Sequence, residues 1–284
     1  MDHVTVQHLP EGLRRPILIM AFPGWNDAAS AASFQAEKFA EIDPEEFYHF
    51  GLTRPLVRYN GANEREIVWP ATEFSVTRSS ALTRDLIVGV AAEPHLRWRT
   101  YCATVLELAR QCGVTLVLTL GALLAEVPHT RPVKLSGTAT DPELAALLGA
   151  RRSRYEGPTG IVGVLNTTCR EQGLPTASLW ANVPHYISGI ENPKATLALV
   201  KRVLTMLSAS LDLSDLDEAV KQFDQNLAEI VSQNAKIAGY VAKLEKAAPE
   251  EDEAPAGGGE QGELPPASEL VAEIEQFLRQ QRPE

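Results

Sequence analysis

Apolar residues in the first 210 positions fall in short runs separated by polar loops, and each run has a recognisable period. Ile17-Leu18-Ile19-Met20-Ala21-Phe22 is continuously apolar, the pattern of a strand covered on both faces. Pro23-Gly24-Trp25-Asn26-Asp27 follows as a turn. The alanine-rich stretch to about Ala40 predicts a helix close to a sheet, capped by Asn26 or Asp27. Glu46–Phe50 is expected as a short strand. Leu56–Tyr59, Asn60-Gly61-Ala62-Asn63 and Glu66–Trp69 together predict a hairpin, with Glu73–Thr77 continuing the meander beyond Pro70. Asp85–Val90, Val114–Leu120 and Thr176–Val183 read as further strands.

Helical spacing alternates with these strands. Trp98, Tyr101, Val105, Leu108 and Cys112 recur at steps of three and four, and Ile161, Leu165 and Cys169 at steps of four. Asp141–Leu148 and Asn192–Ser210 each open with a capping residue followed by proline. Strands alternating with helices predict an α/β class: a three-layer α/β/α domain with a mostly parallel sheet and an inserted hairpin.

Past residue 211 the grammar changes. Leu213, Leu216, Val220, Phe223, Leu227, Ile230, Asn234, Ile237, Val241 and Leu244 keep an unbroken alternation of three and four, a heptad register with Asn234 at an a position. Ser214 and Asp217 resemble a capping box. Val231 and Ala238 widen the stripe, so it suits packing on its own domain as well as an intersubunit contact. Residues 247–267, with Glu250–Glu253 and Gly257-Gly258-Gly259, are expected to be a flexible acidic linker. A short helix with Leu270, Ile274, Phe277 and Leu278 on one face is expected to close the chain. The expected organisation is therefore a body at 1–211, a helical extension at 212–246, a linker at 247–267 and a terminal helix at 268–284. Candidate partner-binding residues are Phe223, Leu227, Ile230, Asn234, Ile237, Ile274, Phe277 and Leu278.

Charge narrows the class of partner. The 284 residues carry a net charge of −11. Glu245–Glu284 holds 11 acidic and 3 basic residues, a net of −8, which leaves −3 for the rest. A nearly neutral body with an acidic tail lacks the basic face that phosphate backbones require, so no nucleic acid is expected. No apolar run nears the roughly 20 residues of a membrane span. Met1-Asp2-His3-Val4 lacks the basic and apolar regions of a signal peptide. Cys102, Cys112 and Cys169 form no Cys-x-x-Cys pair and read as reduced core thiols of a cytoplasmic protein.

Candidate chemistry lies in three loops at strand ends, where open α/β sheets bind ligands. The first carries Trp25, Asn26 and Asp27. The second, Gly121–Pro132, carries His129 and Arg131, suited to an anion or to acid/base work. The third, Asn182–Gly189, carries His185. In each, a loop whose polar groups serve its own backbone is the competing reading. Phosphate-loop and nucleophile-elbow motifs are absent, and Gly257–Gly262 matches Gly-x-Gly-x-x-Gly only within the acidic stretch. The six histidines show no metal-ligand spacing. No metal, cofactor or catalytic residue is expected.

Four ordered strings carry a resemblance: Phe22–Ala28, Gly121–Pro132, Ser178–Tyr186 and Asn192–Thr196. With them the chain resembles the proteasome assembly chaperone family, in its bacterial, actinobacterial-type branch related to the second eukaryotic assembly chaperone. The likeness covers roughly Pro16–Leu211, with Leu213–Leu244 and Glu269–Leu278 similar to branch-typical extensions. It implies a fold similar to nucleoside phosphorylases, self-association, no established catalysis and proteasome-related subunits as clients. Some members end in a hydrophobic-Tyr-any tripeptide that docks on the proteasome ring. This chain ends Gln281-Arg282-Pro283-Glu284, so tail-mediated docking is not expected. Two readings follow: a non-enzymatic homo-oligomeric chaperone or adaptor, and an enzyme for a nucleoside or similar anion with Asp27, His129, Arg131 and His185 around its pocket.

Overall fold

The computed structural model describes residues 3–22, 37–59, 61, 64–149, 156–187 and 190–247. The strands are β1 (Val4–Val6), β2 (Ile17–Ala21), β3 (Glu37–Ile42), β4 (Leu56–Tyr59), β5 (Arg65–Val68), β6 (Thr72–Thr77), β7 (Leu86–Ala91), β8 (Leu116–Ala125), β9 (Leu135–Ala139) and β10 (Thr176–Pro184). The helices are α1 (Trp98–Gln111), α2 (Pro142–Leu148), α3 (Ile161–Glu171), α4 (Pro193–Leu207), α5 (Ser214–Gln233) and α6 (Ala235–Ala247). Eight strands hydrogen-bond in the order β1-β3-β6-β7-β2-β8-β10-β9, and β4 with β5 forms a separate two-stranded sheet. The fold is of the α/β three-layer type, with a mixed sheet. β2 and β7 run parallel, while β1, β3, β6 and β7 are joined by antiparallel pairings.

The chain divides into two compact units. In the first, every residue of β2 is buried, as its unbroken apolar run requires of a strand paired on both edges. Tyr101, Val105 and Leu108 of α1 and Ile161, Leu165 and Cys169 of α3 enter the core of this unit. α1 and α3 follow the predicted spans closely. So do α2 and α4, whose first amides are held by Asp141 and Asn192.

Three local expectations are corrected here. The last part of the helix expected to about Ala40 is instead a strand from Glu37 onward, β3, and the earlier part lies outside the described residues. A bulge between Lys38 and Ala40 breaks its pairing with β6. The extra residue makes Phe39 and Ala40 consecutive buried positions, which hides the two-residue alternation. Glu46–Phe50 is a turn region and not a strand. Its apolar pair plugs the core: Phe47 stacks edge-on against Tyr101 at 5.5 Å, and the Tyr48 hydroxyl donates to the Ala92 carbonyl at 2.8 Å. β6 does not continue the hairpin. It inserts between β3 and β7, turning Thr72, Phe74 and Val76 inward.

The second unit contains α2, α4, α5, α6, β9 and the C-terminal parts of β8 and β10. The single long helix expected over Leu213–Leu244 is two helices that meet at Asn234. Asn234 leaves helical geometry, and its Oδ1 accepts the amides of Lys236 at 3.0 Å and Ile237 at 3.3 Å. It is the N-cap of α6, not a polar residue at an a position. The break preserves the three-four spacing, so periodicity alone does not show it. Likewise Ser214 starts α5 without acting as its cap. Asp212 Oδ1 instead accepts the Ser214 amide at 3.0 Å. Leu227, Ile230, Ile237, Val241 and Leu244 bury themselves with Tyr186 and Ile187, so the stripe packs on its own unit.

Candidate functional site

A cleft of about 370 Å³ in the second unit includes His129, Arg131, Lys134, Lys194, Phe223 and Leu244. Four pieces of chain build it. β8 ends at Ala125 and delivers the loop holding His129. β10 ends at Pro184 and passes into a 3-10 turn, His185–Ile187. α4 starts beside Asn192, and α5 with α6 supply Phe223 and Leu244. Prolines at 128, 132 and 184 stiffen the entering chain.

Tyr186 is the hub. Its hydroxyl oxygen accepts the His129 backbone N–H at 2.8 Å and lies 2.8 Å from His129 Nδ1. The same hydroxyl therefore ties both the backbone and the ring of His129. The rings of His129, His185 and Tyr240 all stand edge-on to Tyr186 with centroids 5.7–5.9 Å away. His185 Nδ1 donates to the Ala125 carbonyl at 3.2 Å. Its Nε2 lies 3.1 Å from the Tyr240 hydroxyl.

Charged groups tie the same joint. Lys194 donates to the His129 carbonyl at 2.7 Å and to Asp224 at 3.0 Å. Arg131 donates to the Glu245 carbonyl at 2.9 Å, near the end of α6, and Thr130 donates to the Glu245 carboxylate at 2.6 Å. A cation at a helix C-terminus is favoured by the exposed carbonyls there. Burial holds His129 below its ordinary pKa. Lys194 adds to that effect, against smaller pulls from Asp224 and Glu245. Burial likewise pushes the Tyr186 hydroxyl well above its ordinary value. The buried thiols of Cys102 and Cys112 are pushed up to about 11 and that of Cys169 to about 12, also by burial.

Three of the six candidate ligand residues therefore meet here: His129, His185 and Arg131. Trp25, Asn26 and Asp27 lie outside the described residues, as do Ile274, Phe277 and Leu278. Leu227, Ile230 and Ile237 are buried in the core of this unit, Phe223 is partly buried against it, and Asn234 caps α6. Tyr186, Tyr240, Lys194, Asp224 and Glu245 escape a reading that looks for histidines. Tyr186 and Lys194 do fall inside two of the strings that carry the family resemblance. No group of three or more His, Cys, Asp or Glu side chains among the described residues is placed to hold a metal ion.

The arrangement is a set of satisfied hydrogen bonds that fixes α5 and α6 against two strand-end loops. A model of the PAC2 family matches residues 22–231. The chain belongs to the PAC2 family. A PAC2 family protein from Streptomyces avermitilis is 42% identical, with a TM-score of 0.71, over 80% of this chain and 99% of that one. A Mycobacterium tuberculosis homologue of proteasome-assembly chaperones is 40% identical, with a TM-score of 0.70, over 79% of this chain and 99% of that one. An archaeal proteasome activator from Pyrococcus furiosus shares the fold at 21% identity and a TM-score of 0.62, over 81% of this chain and 99% of that one. Comparison with curated proteins finds no match. No described helix of this PAC2 protein is long and apolar enough to cross a membrane.

Proposed function

We propose that this PAC2 protein is a cytoplasmic, non-enzymatic, homo-oligomeric chaperone or adaptor whose clients are proteasome-related subunits. The observation that carries the reading is the 40% identity, over 99% of its length, to a protein named a proteasome-assembly chaperone homologue. The state of the polar residues supports it. His129 and His185 are held by the chain's own hydroxyls and carbonyls. The partners of the two rings in those bonds are tyrosine hydroxyls and a backbone carbonyl, and no serine, threonine or cysteine is among them.

Leu227, Ile230, Ile237, Val241 and Leu244 are buried in their own unit, while Leu213, Leu216, Val220 and Phe223 stay part-exposed and are the apolar helical positions left for a partner. The joint around Tyr186 gives those positions a rigid base, which lowers the ordering cost of binding. The deciding experiment mixes purified protein with proteasome α-type and β-type subunits of its own organism. Co-elution on size exclusion with an α-type subunit is the expected result. Separate elution at micromolar concentrations of all components sinks the reading.

One observation favours a second reading. The cleft holds Arg131, Lys134 and Lys194, cations suited to a phosphate or a nucleoside-like anion. A thermal shift with inorganic phosphate or nucleosides, absent in an Arg131→Gln variant, supports it, because ligands that bind only the native state raise the melting temperature. Unchanged melting across both probes removes it.

A further inference from the structure

We propose that the acidic run Glu250–Glu253 of this same chain docks in the cation-lined groove beside α4. The proposal shares the cleft of the second reading above but not its ligand. Phosphate and nucleosides can therefore fail to bind while the segment still docks.

The groove is longer than the cleft alone. A second hollow of about 400 Å³, whose lining includes Lys201 and Arg202 of α4, shares Val133 and Lys134 with it. Lys194, Lys201 and Arg202 stand about two turns apart on the same helix. Arg131, Lys134, Lys194, Lys201 and Arg202 line the joined surface, with Glu126 the one acidic side chain among its described lining residues. Two of the cations have carboxylate partners: Lys194 meets Asp224 at 3.0 Å and Lys201 meets Asp217 at 3.4 Å. Arg131 and Arg202 donate to the backbone carbonyls of Glu245 and Leu148, which leaves their charge uncancelled. No described carboxylate forms an ion pair within 4.0 Å of Arg131, Lys134 or Arg202. This local surplus of positive charge belongs to a protein whose net charge is −11.

The occupant follows from where the described chain stops. Ala247 is the last described residue, and it lines the cleft itself. Glu250, Glu251, Asp252 and Glu253 come three to six residues later, with no lysine or arginine between. That is a reach of at most roughly 10–20 Å. Four consecutive carboxylates start at the rim of the groove whose cations lack them. A segment on so short a tether meets its site at an effective concentration in the millimolar range. A second copy at micromolar concentration does not compete with that. The run is thus a built-in competitor, which any anion or acidic peptide entering the cleft must displace.

The test uses the full chain. Equal amounts of unlabelled and ¹⁵N-labelled protein are mixed and treated with a carbodiimide, which joins a carboxylate only to an amine in contact with it. Peptide mass spectrometry then locates the links. The expected result is links from Glu250–Glu253 to Lys134 or Lys201 within one isotopic form. They should fall at least about tenfold in about 1 M salt, where the Debye length shrinks to about 3 Å. Links that join only the two isotopic forms make a second copy the occupant and overturn the proposal, and so does the absence of links to either lysine. A second measurement compares the wild type with a Glu250→Gln/Glu251→Gln/Asp252→Asn/Glu253→Gln variant of the full chain. Acetylation of Lys134 and Lys201 should be roughly threefold faster in the variant, the change that corresponds to docking in about two thirds of the molecules. Exposed Lys221 on α5 serves as the internal reference. Equal rates at Lys134 and Lys201 in the two proteins overturn the docking.

Discussion

One oxygen of Tyr186 holds His129 twice, through the backbone N–H and through Nδ1, each at 2.8 Å. The loop after β8 is thereby pinned to the turn after β10, with Lys194 holding the carbonyl of the same histidine. This contact organises the site, and it sets what its loss will cost.

Tyr186→Phe keeps the ring and removes the hydroxyl. The His129 amide and ring nitrogen lose their partner in a buried setting, which costs about 1–3 kcal/mol. Urea unfolding of the two proteins measures this. A change below a few tenths of a kcal/mol means that the bond is replaced and the joint is not held by it.

His129 makes stability depend on pH with a defined sign. Its folded pKa lies below the ordinary 6.5 because the ring is buried beside Lys194. The unfolded chain therefore binds the proton first as pH falls. The contribution is complete above about 6.5 and is lost as pH drops through the folded pKa. Between pH 7 and pH 5 the unfolding free energy of the wild type should fall more steeply than that of His129→Gln. Equal slopes in denaturant titrations at several pH values would count against a buried neutral ring.

Asn234 separates a cap from a heptad position. As the N-cap of α6, its replacement by leucine removes a side-chain acceptor and destabilises by about 1 kcal/mol. At an a position of a continuous coiled coil the same change stabilises. The shift in denaturation midpoint for Asn234→Leu distinguishes the two by its direction.

Gly121 on β8 and Trp180 on β10 meet so closely that a methyl group on Gly121 collides with the indole ring. Gly121→Ala is expected to destabilise by about 1–3 kcal/mol through overpacking. Adding Trp180→Leu should recover part of the loss. Loss in the single variant without any recovery in the pair shows that the ring is not what the methyl group meets.

Much of the fold was readable along the chain because burial leaves a period. β2 and β7 are runs of apolar residues, and α1, α3 and α4 are apolar stripes with Asn, Pro or Gly near their ends. Two of the errors share one cause. The bulge at Phe39 and the cap at Asn234 each alter backbone geometry within one residue, while the spacing of neighbouring side chains stays plausible. At the site, His129, Arg131 and His185 were legible as strand-end polar residues. Lys194, Asp224 and Glu245 were not, because helix surfaces carry such residues everywhere.

The sequence by itself determined the class of fold, the ends of most helices and the family strings, since all three are written in local order. Whether the long apolar stripe faces its own unit or a partner was decided only in three dimensions. Tyr186 and Ile187 lie some 40 positions before Leu227 and Ile230, and nothing in the intervening spacing says that they share a core. Burial is a property of what surrounds a side chain, and that neighbourhood exists only once distant segments have packed.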